Sequence, residues 1–331
     1  MRERDIPGLS LAVIQDGKII EEKGYGFADK DSKTPVTSAT LFQAGSISKC
    51  LAALGALHLI EKGQLSFDAD INAQLRTWKL PENGFTKDKK VTLRGILGHN
   101  AGVNIHGFPG YAANASVPTL LEVLHGGKPA NTPAIRVDTV PGSKSRYSGG
   151  GYTVMQQMIV DVTGKTFPEF MREAVLKPLG MSSSTYEQPL PQTMVAATAT
   201  GHLIGGQAVG GRWHVYPEMA AAGLWTTAPD LARFIIGIQR SLSGEANPVI
   251  SQSMTRLMLT AQTGKFGLGV YLAGAEKTLR FYHGGRNKGF DALLTAYADA
   301  GKGLVVLINA NDDSGIFNDI VRFVAQKYRR A

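Results

Sequence analysis

Apolar and polar positions are ordered at the two ends of the chain and lose their regularity in between. Residues 9–15 read as a buried strand, Asp16-Gly17 as a hairpin turn and residues 18–27 as its partner. The period changes over about 47–62, where Leu51, Leu54, Leu57 and Leu59-Ile60 recur at helical spacing until Gly63. From about 65 to 220 no alternation is sustained. Short helical stretches (93–97, 119–124, 152–162, 167–176) are separated there by Pro/Gly loops. Residues 228–239 read as a helix introduced by Thr226-Thr227. Strands return at 267–272, 278–283, 292–297 and 303–309, and a helix closes the chain over about 316–327. Two short strand pairs cannot bury a face alone. The pattern therefore predicts an α/β (α+β) fold in which both chain ends build one sheet and a mostly helical segment is inserted. The expected division is 1–64 with 225–331 as the sheet domain and 65–224 as the helical one, with a cleft between them.

Composition narrows the class. The 331 residues are 43% apolar and 19% charged, which excludes a disordered chain. No apolar run reaches the ~18 residues of a membrane span. The net charge of +8 is scattered; its densest group, Lys87-Asp88-Lys89-Lys90, has no interleaved aromatics, so a nucleic-acid partner is not expected. The single Cys50 excludes an intramolecular disulfide and a cysteine zinc site, and its place in an apolar helix reads as a small buried residue. The seven histidines (58, 99, 106, 125, 202, 214, 283) show no i, i+4 pair and read as ordinary polar residues, so no metal is expected. Met1–Asp5 contains no apolar signal segment. A periplasmic or secreted location is expected only if an upstream segment was removed, and a cytoplasmic one otherwise.

The chemistry starts from Gly45-Ser46-Ile47-Ser48-Lys49, which opens the first long helix. Spacing i to i+3 puts the Ser46 hydroxyl and the Lys49 amine on one helix face. Ser46 lies at the helix N-terminus, where free N–H groups favour developing negative charge. Lys49 serves as a base only if burial or a second cation lowers its pKa. By itself S-x-x-K is weak, and a helix cap with a surface lysine explains it equally. Two more segments add weight. Pro141 to Tyr152 places Tyr147 on a glycine-rich turn before a helix, where a phenol near a cation could lose its proton and act as a base. Phe281-Tyr282-His283-Gly284-Gly285-Arg286 follows a strand, and its glycines would let the backbone lie against a substrate. No G-x-S-x-G, H-E-x-x-H or P-loop is present.

Together and in this order, the three segments resemble the serine β-lactamase and penicillin-binding-protein superfamily, particularly class C β-lactamases, family VIII carboxylesterases and serine D,D-peptidases. Ile6-Pro7-Gly8, Gly24 to Asp29, Val91 to Gly102, Pro178 to Met181 and Ala222 to Thr227 fit the same resemblance, which covers nearly the whole chain. It implies an antiparallel sheet flanked by helices with a mostly helical lobe. Ser46 would be the acylated nucleophile, Lys49 would share the base role, and Tyr147 would move protons between nucleophile and leaving group. The oxyanion hole would be the backbone N–H groups of Ser46 and Arg286. His283, Gly284 and Gly285 would form the substrate-binding strand, and no cofactor is implied. Two departures matter: Tyr147-Ser148-Gly149 replaces the common Tyr-x-Asn, and His283 replaces a lysine. Both weaken the hold on a β-lactam and favour small esters, although Arg286 could restore a charge. The expected function is a serine carboxylesterase acting through an acyl-enzyme. The alternatives are a D,D-peptidase or D-aminopeptidase, a weak class C-like β-lactamase, and a sensor or scaffold that acylates without turnover.

Overall fold

The first and last strands of the chain lie side by side. The structure, a computed structural model, describes residues 1–328. Positions 329–331 of the expected sheet domain lie outside the described residues. The strands are β1 (Gly8–Gln15), β2 (Lys18–Asp29), β3 (Thr34–Pro35), β4 (Phe42–Gln43), β5 (Tyr111–Ala112), β6 (His214–Val215), β7 (Trp225–Thr226), β8 (Tyr271–Ala273), β9 (Arg280–Asn287), β10 (Phe290–Tyr297) and β11 (Gly303–Ile308). The helices are α1 (Ser48–Glu61), α2 (Ile71–Gln74), α3 (Leu93–Leu97), α4 (Leu120–His125), α5 (Gly149–Thr163), α6 (Phe167–Met171), α7 (Met219–Ala222), α8 (Ala228–Ser243), α9 (Gln252–Met258) and α10 (Ile316–Lys327). Seven strands form one sheet in the order β3-β2-β1-β11-β10-β9-β8. Its pairings are antiparallel, and β1 meets β11 with Leu9 opposite Ile308.

Alternation assigns the two faces. Ala12 and Ile14 of β1 join Val305 and Leu307 of β11 in the main core with α1 and α8, whereas Leu9, Leu11 and Val13 join Leu304, Val306 and Ile308 beneath α10. Covered on both faces, β1 is almost wholly buried, as its unbroken apolar run requires. Helix α1 is buried from Ser48 through Leu57, a central core helix with no solvent stripe. That explains how a lysine in its first turn comes to be desolvated. Helix α8 begins at Thr227, whose side chain accepts the Asp230 N–H, and ends on the left-handed Gly244.

The strand expected at 267–272 shrinks to Tyr271–Ala273. Gly269 takes φ +87° and gives its N–H to the Leu97 carbonyl, and a Cβ there would lie 2.4 Å from that of Ala53. The segment is a loop pressed onto α1. The next expected strand starts at Arg280 and runs on through Asn287. Helix α9 was not anticipated: it is seven residues long and buries only Thr255 and Met258, too few to show a period. Among the described residues, no helix is long and apolar enough to cross a membrane.

Candidate active site

Ser46 sits in a 3₁₀ turn, Gly45–Ile47, that leads directly into α1. Two clamps fix this turn. The Ala44 N–H donates to the Leu224 carbonyl, and Ser48 Oγ donates to the Gly45 carbonyl (2.6 Å) while accepting the Leu224 N–H (3.0 Å). On the other side the turn touches β9 backbone to backbone. Gly45 has φ +52°, and a Cβ on it would fall 2.6 Å from Arg286 N; a Cβ on Gly285 would fall 1.9 Å from the Ala44 carbonyl oxygen and 3.2 Å from Ser46 N. Two glycines therefore permit the approach that brings the Ser46 and Arg286 N–H groups close together. The two-residue turn Lys288-Gly289 pairs Asn287 directly with Phe290. The hydrogen-bonded pairs of that ladder then fall on Asn287, Gly285 and His283, so the Arg286 N–H points away from β10. Strand β8 covers β9 only over Arg280–Tyr282, and farther along the Ala44–Ser46 turn meets β9 at Gly285 and Arg286.

Lys49 Nζ lies 3.1 Å from Ser46 Oγ and donates to the Ala221 carbonyl at 2.7 Å. The ammonium position is over the Tyr147 ring (5.0 Å) and the Tyr152 ring (5.8 Å). Burial brings its pKa down to about 7 against a small upward pull from Cys50. Near neutral pH a large fraction of Lys49 is therefore free amine beside the serine. Cys50 itself is buried, its thiol pushed up to about 12 by the same desolvation.

Tyr147 is also brought to this point, where its surroundings favour the neutral phenol over the phenolate. Burial raises its pKa, and the nearby Ser46 hydroxyl offsets this only in part. Its Oη is buried and has no partner of normal hydrogen-bond geometry. The phenol stays protonated at neutral pH and is suited to relaying a proton, not to holding a negative charge. Ser148, next in the chain, caps α5 by accepting the Gly151 N–H (2.9 Å).

His283 is buried, with a pKa lowered to about 3 by desolvation and then by Lys49. It donates from Nδ1 to the Gly284 carbonyl (2.6 Å), so the neutral ring offers Nε2 as an acceptor. Gly284 faces open space; a Cβ there would meet only the Ala292 carbonyl oxygen, 3.8 Å away. The Arg286 guanidinium does not restore the missing charge. It binds Asp291 through two contacts (2.8 and 2.6 Å), Asp313 (2.9 Å) and the Asp312 carbonyl. The cation is engaged by these partners, whereas the backbone N–H points away from β10.

The sequence pattern missed an aromatic wall around the site. Tyr271 lies parallel to Tyr147 (6.3 Å between centroids, 2° between planes), and His99 and His106 pack on Tyr147 at 4.4 and 4.8 Å. His99 and His106 had read as ordinary polar residues. Their signal was the Gly98-His99-Asn100 turn, which only a known φ would have separated from other glycine loops. A cleft of about 460 Å³ between the outer sheet face and α10 shares no residue with this site.

The sequence model of the Beta-lactamase family matches residues 1–327. The chain belongs to this family. Members of the Beta-lactamase family are in general serine hydrolases, and the octameric penicillin-binding protein homologue from Pyrococcus abyssi shares the fold with a TM-score of 0.75. That likeness covers 93% of this chain and 71% of the other at 24% identity. Protein flp of Staphylococcus aureus strain N315 is 24% identical over 322 residues, 95% of this chain and 61% of its own length. A Beta-lactamase from Pseudomonas fluorescens is 29% identical over 238 residues, 71% of this chain and 60% of its own length. The chain thus spans about three fifths of the curated relatives it matches.

Proposed function

We propose that this chain is a serine hydrolase that works through a covalent acyl-enzyme on small carboxylic esters. The observation that supports this best is the desolvated Lys49 amine 3.1 Å from Ser46 Oγ. In acylation, neutral Lys49 takes the Ser46 proton as Oγ bonds to the ester carbonyl carbon. The negative charge that forms on the carbonyl oxygen is met by the N–H groups of Ser46 and Arg286. As the C–O bond to the alcohol breaks, Tyr147 gives its proton to the leaving oxygen and regains one from Lys49. Water then attacks the acyl carbonyl carbon as Lys49 takes its proton, the bond to Oγ breaks, and that proton returns to Oγ, which regenerates Ser46 and releases the acid. The reaction takes place in a cleft between a sheet lobe, 1–64 with 225–331, and a helical lobe, 65–224.

The preference for esters rests on charge. A β-lactam or a peptide C-terminus brings a carboxylate, but His283 is neutral and Arg286 is engaged by Asp291 and Asp313. Gly149 supplies no carboxamide where the resemblance would place one. A charge-assisted contact is worth ~1.5–3 kcal/mol, so its loss costs roughly 10- to 150-fold. One feature favours a second reading: β8 stops at Tyr282, so an amide substrate beside Ser46 could pair with β9 backbone that β8 leaves uncovered, as a D-peptide would. The test compares p-nitrophenyl acetate and butyrate, nitrocefin and D-Ala-D-Ala peptides on one preparation. The expected result is a higher kcat/KM for the esters. Faster nitrocefin turnover would install the β-lactamase reading, faster peptide cleavage the peptidase one, and acylation without turnover the sensor.

A further inference from the structure

We infer that His99 is a positioning residue that aims the Tyr147 phenol at Ser46; the inference rests on the serine-hydrolase reading above. Three consecutive residues centred on Tyr147 are held by His99. The Arg146 N–H donates to the His99 carbonyl (2.7 Å), the Ser148 N–H donates to His99 Nδ1 (3.1 Å), and the imidazole stacks on the Tyr147 ring (4.4 Å, 29°). Because Nδ1 accepts, the ring proton is on Nε2.

The need for such a brace follows from Tyr147 itself. Its Oη makes no hydrogen bond of normal geometry, and the Ser46 hydroxyl near it does not by itself fix the ring. Orientation must come from its backbone and ring faces, and His99 supplies contacts to both. His99 is in turn over-determined. It holds φ +56°, a left-handed conformation few side chains adopt and one in which histidine is enriched. Tyr152 (5.3 Å) and Phe266 (4.8 Å) pack around its ring. The Asn100 N–H returns to the Gly95 carbonyl, and the Asn100 carbonyl accepts the Gly142 N–H at 2.7 Å. Strained backbone kept in place by its surroundings is a mark of functional sites. A misplacement of ~1 Å at reacting groups costs roughly 100-fold.

The test is a cycle of variants read by the rate at which a fluorophosphonate modifies Ser46 and by kcat and KM for p-nitrophenyl acetate. His99→Phe keeps a flat ring and removes the acceptor. His99→Asn keeps an acceptor the same number of bonds from the backbone and tolerates the positive φ. Expected for His99→Phe is a kcat and a modification rate reduced roughly 10- to 100-fold with KM within about threefold, and for His99→Asn a rate at least about fivefold above that of His99→Phe. In a Tyr147→Phe background the His99 substitutions should change almost nothing, because their effect passes through the phenol. The same fold loss in both backgrounds, or no loss in either, overturns the inference. If His99→Phe does not fold, His99→Asn alone completes the same cycle. A wild-type protein that takes no adduct on Ser46 overturns the hydrolase reading as well; an adduct with additive losses overturns only the role of His99.

Discussion

Replacing Lys49 with methionine should cripple catalysis and stabilise the fold. Bringing the amine from its ordinary 10.5 to about 7 corresponds to ~5 kcal/mol at ~1.4 kcal/mol per pH unit. That free energy opposes folding, because the buried site disfavours the charged form. Methionine removes the cost and fills a similar volume, but leaves the Ala221 carbonyl without its donor, a loss of ~1–3 kcal/mol. The expected net gain near pH 7 is ~2–4 kcal/mol. The pH dependence has a definite sign. Between about 7 and 10.5 the unfolded chain holds more protons than the folded one, so wild-type stability rises with pH across this window. Below about 7 both states are protonated and the full cost is present. The advantage of Lys49→Met should therefore be greatest at and below neutral pH and shrink toward pH 10. Urea unfolding of both proteins at about pH 6.5, 8 and 9.5 measures it, alongside a kcat reduced roughly 10²–10⁴-fold. A variant less stable than wild type at neutral pH, or an advantage equal at all three pH values, would refute the reasoning.

Tyr147→Phe should lower kcat by roughly 10²–10⁴ while the melting temperature changes little, since the phenol hydroxyl makes no hydrogen bond of normal geometry; near-wild-type turnover would contradict the relay. Gly285→Ala should reduce both thermal stability and ester kcat/KM, the latter by at least about 10-fold, because the added Cβ would meet the Ala44 carbonyl and crowd Ser46 N. Gly284→Thr, facing open space, should leave the melting temperature within a few degrees of wild type. His283→Lys should narrow the gap between ester and nitrocefin kcat/KM and, by adding a second amine beside Lys49, move the rise of the pH–rate profile to lower pH; an unchanged ratio and profile would show that position 283 does not face the substrate.

Where an element carries a sustained apolar pattern, the sequence was legible. Both terminal hairpins and α10 follow from their alternation or stripe, α1 from its apolar run ended by Gly63, and pairing of the two chain ends from the need to cover β1. That Ser46, Lys49 and Tyr147 come together was legible from the resemblance their three segments carry jointly, each segment being weak alone. Other features depend on distances the chain does not print. Whether Tyr147 ionises turns on burial, which outweighs the nearby Ser46 hydroxyl. Whether Arg286 offers charge is decided by Asp291 and Asp313, the latter 27 residues away. The bracing of Tyr147 by His99 crosses 49 positions between His99 and Ser148 and uses a left-handed residue that no periodicity reveals.

The central claim is that Ser46 is the nucleophile and neutral Lys49 its base. The direct measurement is intact-mass and peptide mapping of the protein with a fluorophosphonate, with the rate of adduct formation followed against pH. One adduct on Ser46 is expected, absent in Ser46→Ala, with a rate that rises as Lys49 loses its proton through about pH 7 and levels off above it. An adduct that persists in Ser46→Ala, or a rate that shows no rise across this range, would contradict the account.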